Sequence, residues 1–138
     1  MSRHINYPEH FTHKVFNNWH RYALGDVVTM IDIDGLEYCR KCRAPLAFLE
    51  TAEDRGQEIK PVTVLRTLAT QTGIPAYVIL FTVDEAARAR ENWADSCTGF
   101  RVRRLHPLPE TDWLAMDPDH MAAFLTGLHM AHECRRAA

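Results

Sequence analysis

Ala76-Tyr77-Val78-Ile79-Leu80-Phe81-Thr82-Val83 is a nearly continuous apolar run opened by Pro75. A strand without polar alternation has both faces covered, so this segment belongs at the centre of a sheet flanked by helices. The rest of the chain supplies those neighbours. Phe11, Val15, Trp19 and Ala23 recur every four residues among polar ones, which predicts an amphipathic helix over 9–23 stopped at Gly25. Val64, Leu65, Leu68 and Ala69 predict a second helix, with Pro61 in its first turn and Gly73 closing it. Met121, Phe124, Leu125 and Leu128 predict the buried stripe of a last helix, capped at Asp117-Pro118. The β-branched stretch 27–33 and the apolar run 45–51 predict a hairpin whose tip is the 39–43 segment. Residues 52–58, polar around Gly56, read as a loop. Asp84 suits the N-cap of a short helix reaching Trp93, with an irregular insertion as the alternative, and 99–106 reads as another strand. Helix, hairpin, helix, strand, strand, helix is the order of a single-domain α/β sandwich, a mixed central sheet flanked by helices.

With 138 residues, 46% hydrophobic and 25% charged, the composition fits one domain over 1–138 with a modest core. No apolar run nears the roughly 18–20 residues that span a bilayer, so no membrane partner is expected. Behind Met1-Ser2-Arg3 there is no apolar stretch of a secretory signal, and the expected location is the cytoplasm. Sixteen Lys plus Arg against 18 Asp plus Glu leave a net charge of −2. Bulk positive charge therefore cannot recruit nucleic acid, and any basic surface must be local. Local clusters occur at Arg40-Lys41-Arg43, Arg101-Arg103-Arg104 and Arg135-Arg136.

Two constellations carry chemistry. Asp32 and Asp34, two apart on a strand, share a face, and a hairpin turn centred at Lys41 or Cys42 sets Glu50 opposite Asp32 or Asp34 respectively. Converging carboxylates repel unless a hard divalent cation such as Mg²⁺ or Mn²⁺ lies between them, and such an ion activates water for phosphodiester cleavage. The plain alternative is that both aspartates end a strand before the turn at Gly35. Glu37, of opposite parity, faces away from that patch in a regular strand. Cys39-Arg40-Lys41-Cys42 has the spacing of a zinc knuckle, with Arg43 where a glycine often follows. Two more ligands are needed, from Cys97, Cys134, His106 or a second subunit's histidine, and spacing chooses none. Without metal these are reduced cysteines flanking a turn. His129 and His132, three apart at the end of the last helix, can touch one ion, yet their simpler role is at the helix dipole. His10, His13 and His20 fit a solvated helix face. Trp93 and Trp113 fit packing roles.

The run from Phe11 to Val83, with Ile31-Asp32-Ile33-Asp34 and Leu46-Ala47-Phe48-Leu49-Glu50-Thr51-Ala52, resembles the PD-(D/E)xK nuclease superfamily, in particular its small phage-encoded members. That resemblance implies a restriction-endonuclease-like core. It implies Asp34 or Asp32 as the first metal-binding acid, Glu50 as the second, and Mg²⁺ or Mn²⁺ as cofactor. The superfamily's lysine falls on Ala52, so the resemblance implies Lys60 as its replacement beside the scissile phosphate, or a fold that has lost its chemistry. Asp34, Glu50 and Lys60 would then catalyse hydrolysis of DNA, with Asp32 assisting at the metal. Arg40, Lys41, Arg43, Arg101 and Arg103 would grip the phosphate backbone; on an exposed strand the last two equally serve to block edge pairing. Three functions follow as expectations: a divalent-metal nuclease, alone or as a homodimer; a silent version binding nucleic acid or a host protein; and a zinc-stabilised adaptor built on Cys39 and Cys42.

Overall fold

The computed structural model describes residues 7–25, 29–31, 33–58 and 62–134, with side chains of the first helix from residue 15 onward. The chain divides into two units, Met1–Asp32 and Ile33–Ala138. The first holds helix α1 (Tyr7–Leu24). It stops where expected: Gly25 adopts φ 60 and donates its N–H to the Arg21 carbonyl at 3.0 Å. Val15 and Trp19, expected on a buried stripe, are 58% and 55% exposed.

The second unit is a five-stranded mixed sheet in the order β1-β2-β3-β4-β5, formed by Gly35–Tyr38, Pro45–Glu53, Ala76–Val83, Cys97–His106 and Leu114–Met116. Only β2 and β3 run parallel. Helix α2 (Thr63–Thr72) makes the crossover between them, and Gly73 ends it at φ 73 with its N–H on the Ala69 carbonyl. Helix α3 (Glu85–Ala89) is capped by the Asp84 carboxylate, which accepts from the Ala87 N–H, and a 3-10 turn at Trp93–Asp95 follows. Helix α4 (Pro118–Met130) starts at the Asp117 cap, as its Asp-Pro pair predicts.

Alternation along the strands sorts the core into two layers. Phe48, Val78, Leu80 and Leu105 pack with Leu65 and Ala69 of α2 on one face. Ala47, Leu49, Ile79, Val102 and Met116 pack with Met121, Phe124, Leu125 and Leu128 of α4 on the other. The apolar run β3 is the middle strand, and Leu80 within it has no exposed surface. The α/β sandwich inferred from the sequence is the observed class.

The hairpin differs from expectation. Residues 29–31 and 33–34 are not in a strand, residues 27–28 and Asp32 lie outside the described residues, and the first strand is Gly35–Tyr38. The tip closes by Cys39 N–H on the Ala44 carbonyl (2.8 Å) and Arg43 N–H on the Cys39 carbonyl (2.7 Å), setting Gly35 against Leu49. One step further out, the Asp34 carboxylate takes the Thr51 N–H at 2.9 Å, a donor that a longer ladder would pair with a carbonyl. Pairing, not β-branched composition, decides where this strand begins. At the other end β2 runs on through Glu53, so Ala52 and Glu53 are strand and the loop starts at Asp54. Pro61 lies outside the described residues, and α2 begins at Thr63 with Val62 at its N-cap.

Candidate metal centre

β1 runs toward the 39–44 tip and β2 away from it, while α4 runs along the sheet and ends at the same edge. The tip and the tail beyond α4 therefore meet. Cys39, Cys42, His132 and Cys134 each direct one donor atom into a space where all four lie within 4.8 Å of one another. Cys39 Sγ is 3.9 Å from Cys134 Sγ, and Cys42 Sγ is 3.0 Å from His132 Nε2. With metal–sulfur bonds of about 2.3 Å, a tetrahedron has sulfur–sulfur edges of about 3.8 Å, so this spacing fits one ion with little adjustment. All four cysteines are free thiols.

The local backbone prepares the site. Hydrogen bonding from the Cys42 amide, and then from that of Lys41, lowers the Cys39 thiol from 9.0 to about 6. Cys134 moves the other way, to about 11, chiefly through its hydrogen bond with Cys42 beside a second thiol. Arg43 occupies the position where a knuckle commonly has glycine, and it takes the left-handed conformation that glycine would, at φ 69. Beside the centre, His129 Nε2 meets Glu37 Oε1 at 2.7 Å and joins the last turn of α4 to β1.

This arrangement resolves the ligand alternatives. Cys134 joins the knuckle. Cys97 pairs with Val83 at the opposite end of the sheet, and neither it nor His106 belongs to the cluster. His129 and His132 do not share an ion, because α4 ends at Met130 and the two rings turn to different partners. The sequence offers His132 only with His129 or at the helix dipole, not with the knuckle; the signal for the latter is the His132-x-Cys134 pair just past the last helical stripe.

The acidic constellation is placed less completely. The observed register, carried one residue past Gly35, sets Asp34 rather than Asp32 opposite Glu50. The Asp34 carboxylate is bound to the Thr51 amide, and Asp32 and Lys60 lie outside the described residues. Among the described residues, the Cys39/Cys42/His132/Cys134 group is the one set of three or more His, Cys, Asp or Glu side chains positioned around a common point. Glu37 faces α4, away from that patch, as its parity predicts.

The arginines separate into two kinds. Arg101 donates to both oxygens of Asp54 (2.8 and 2.9 Å) and to the Gln57 carbonyl, and its guanidinium stacks 5.0 Å over the Trp113 ring. Arg103 meets Glu110, which Arg66 also holds by two hydrogen bonds. These internal pairs leave Arg101 and Arg103 poorly placed to grip a phosphate backbone. They do not guard a sheet edge either, since β4 lies between β3 and β5. Trp113 packs against the α2-side core, whereas Trp93 is 61% exposed. Arg40, Lys41 and Arg43 stay exposed at the tip, and among the described residues no ion pair engages them.

No family model, no curated protein and no solved structure matches this chain. No helix among the described residues is long and apolar enough to cross a membrane.

Proposed function

We propose that the chain is a zinc-stapled α/β binding module in which the metal holds the β1–β2 tip against the tail of α4. The observation that carries this reading is the convergence of Cys39 and Cys42 with His132 and Cys134, segments some 90 residues apart in sequence. Three thiols and an imidazole converging within 4.8 Å of one another are a soft donor set that suits zinc and disfavours Mg²⁺ or Mn²⁺. Four protein ligands leave no open coordination position for substrate or water, so the ion's work is architectural.

The hydrolase reading draws on a different observation, the register that brings Asp34 opposite Glu50. It has less support: Asp34 already serves the Thr51 amide, and the lysine position is occupied by Ala52.

Metal analysis of the purified full chain tests the proposal. About one zinc per chain is expected, retained through gel filtration and lost in a Cys39→Ser/Cys42→Ser variant. Wild-type protein refolded with zinc present and carrying none would overturn it.

A further inference from the structure

We infer that the cavity between α4 and the β3–β4–β5 side of the sheet is a binding site for a free amino acid with an apolar side chain. The cavity has a volume of about 550 Å³, inside the range of roughly 300–1,000 Å³ that small-molecule sites occupy. It shares no residue with the Cys39/Cys42/His132/Cys134 group, so the inference stands apart from the zinc reading. Strand register builds its floor. Tyr77 of β3 lies opposite Arg104 of β4, Leu114 of β5 lies opposite Val102, and opposed residues send their side chains to the same face. That face is the one α4 covers, since Phe124 meets the Tyr77 ring edge-on at 5.1 Å between centroids. The 111–113 segment closes one side, held where Thr111 Oγ1 accepts the Arg104 N–H (2.9 Å) and the Thr111 N–H reaches the Arg104 carbonyl (3.1 Å). Val102, Leu114, Met116 and Phe124 make the wall largely apolar.

Three polar side chains of the lining have bonding capacity left over. Arg104 donates to the Pro109 carbonyl at 3.0 Å, its Nε is enclosed without a partner, and no carboxylate meets it among the described residues. Arg90 at the end of α3 also lacks an acid, but it stands in solvent, whereas Arg104 is half-buried in a cavity wall. Neither the Tyr77 hydroxyl nor the Asp112 carboxylate has a hydrogen bond or ion pair among the described residues. Burial pushes the Tyr77 hydroxyl above its ordinary value against the pull of the Arg104 charge, so it stays a neutral donor. A guanidinium beside a phenol offers several donors to one carboxylate. Asp112, exposed at the rim, offers an acceptor to an ammonium group. With His120 neutral, the lining carries one positive charge, on Arg104, against one negative, on Asp112. A plain anion would leave Asp112 unanswered and meet the exposed Asp117 and Asp119 at the start of α4, and a plain cation would face Arg104. An α-amino acid carries both signs on one carbon, and an apolar side chain on that carbon covers the wall of Val102, Leu114 and Phe124.

Titration of the isotope-labelled full chain, followed by backbone amide NMR shifts, tests this with L-leucine, L-phenylalanine and L-tryptophan as probes. At least one should bind with a Kd of about 1 mM or tighter, moving the amides of Tyr77, Val102, Arg104, Leu114 and Phe124. The N-acetyl and the amide derivatives of that probe, each lacking one charge, should bind about tenfold more weakly or worse. Arg104→Gln and Asp112→Asn should each weaken the free amino acid by about tenfold, and Asp112→Asn should no longer distinguish it from the N-acetyl form. Arg90→Gln should bind as wild type. No shift with any of the three at about 10 mM, shifts centred elsewhere, or equal affinity for a derivative lacking either charge would overturn the inference, and each is read on wild-type protein alone. Zinc measured on the same samples keeps the two readings apart. A zinc-free chain that binds the probe sinks the metal centre only, and a zinc-loaded chain that ignores all three sinks the amino-acid site only.

Discussion

At Arg43 the residue type and the backbone conformation of the tip are most directly opposed. The turn after Cys42 needs φ near 69, which costs a residue with a Cβ about 1–2 kcal/mol relative to right-handed backbone. Glycine removes that cost and loses part of the gain through its more flexible unfolded chain, for a net stabilisation of about 0.5–1 kcal/mol. Arg43→Gly is therefore expected to raise the chemical-denaturation midpoint of the zinc-loaded protein. A lowered midpoint would show that the Arg43 side chain contributes to folding in a way the exposed turn does not explain. The same residue illustrates what single positions conceal. Cys39-x-x-Cys42 is legible as half of a metal site because two thiols from one tight turn have a fixed separation. His132 is not, because a ligand some 90 residues away leaves no periodic trace, and a histidine near a helix end already has a sufficient role at the dipole.

Between elements, a two-bond polar tie joins the loop after β2 to β4. Arg101 clamps Asp54 through two hydrogen bonds, with 23% and 17% of the two side chains exposed, and the tie reaches past β3 from one neighbour to the other. The Arg101 hydrogen bonds, and then the Gly56 amide, hold the Asp54 carboxyl below its ordinary range. Glu110 is lowered in the same way by Arg66. A carboxyl depressed in the folded state contributes stability that is fully present above its unfolded value of about 4 and is lost as pH falls through its folded value. Urea midpoints should accordingly be flat from neutral pH to about 5 and drop below 4, and Asp54→Asn should lower the neutral-pH stability by about 1 kcal/mol and flatten part of the acid drop. An acid limb identical in Asp54→Asn and wild type would refute the pairing. At this scale the sequence is informative where burial is two-sided or periodic. The central run, the α4 stripe and both Asp caps announce themselves, since each follows from a local rule. β5 does not: its three residues are too short for any period, and two of them are exposed. The β1 boundary is equally hidden, because the Asp34 side chain, not propensity, interrupts the ladder at Thr51.

For the Ile33–Ala138 unit as a whole, the proposed zinc would act at one end of a sheet whose core is built without it. Leu80, Val78, Ile79, Leu65 and Met121 are buried in layers that owe nothing to the four ligands. Small zinc domains with no such core unfold when stripped; this unit should instead remain folded and lose stability. The loss can be sized by linkage. An ion that binds only the folded chain stabilises it by RT ln(1 + [L]/Kd), about 4 kcal/mol when free zinc is 1,000 times Kd. For a unit of this length, that corresponds to a Tm difference on the order of 15 °C between loaded and stripped protein. Cys134 is the exposed ligand, so its thiol contributes little to packing in the stripped state. Cys134→Ser should therefore match wild type after chelation and recover only part of the shift when zinc is returned. Thermal unfolding by far-ultraviolet circular dichroism, with and without chelator, separates the two situations. A Tm indifferent to zinc would mean that the tip and the α4 tail are held by His129–Glu37 and packing alone, and a cooperative collapse on chelation would mean that the two core layers are too thin to stand without the staple.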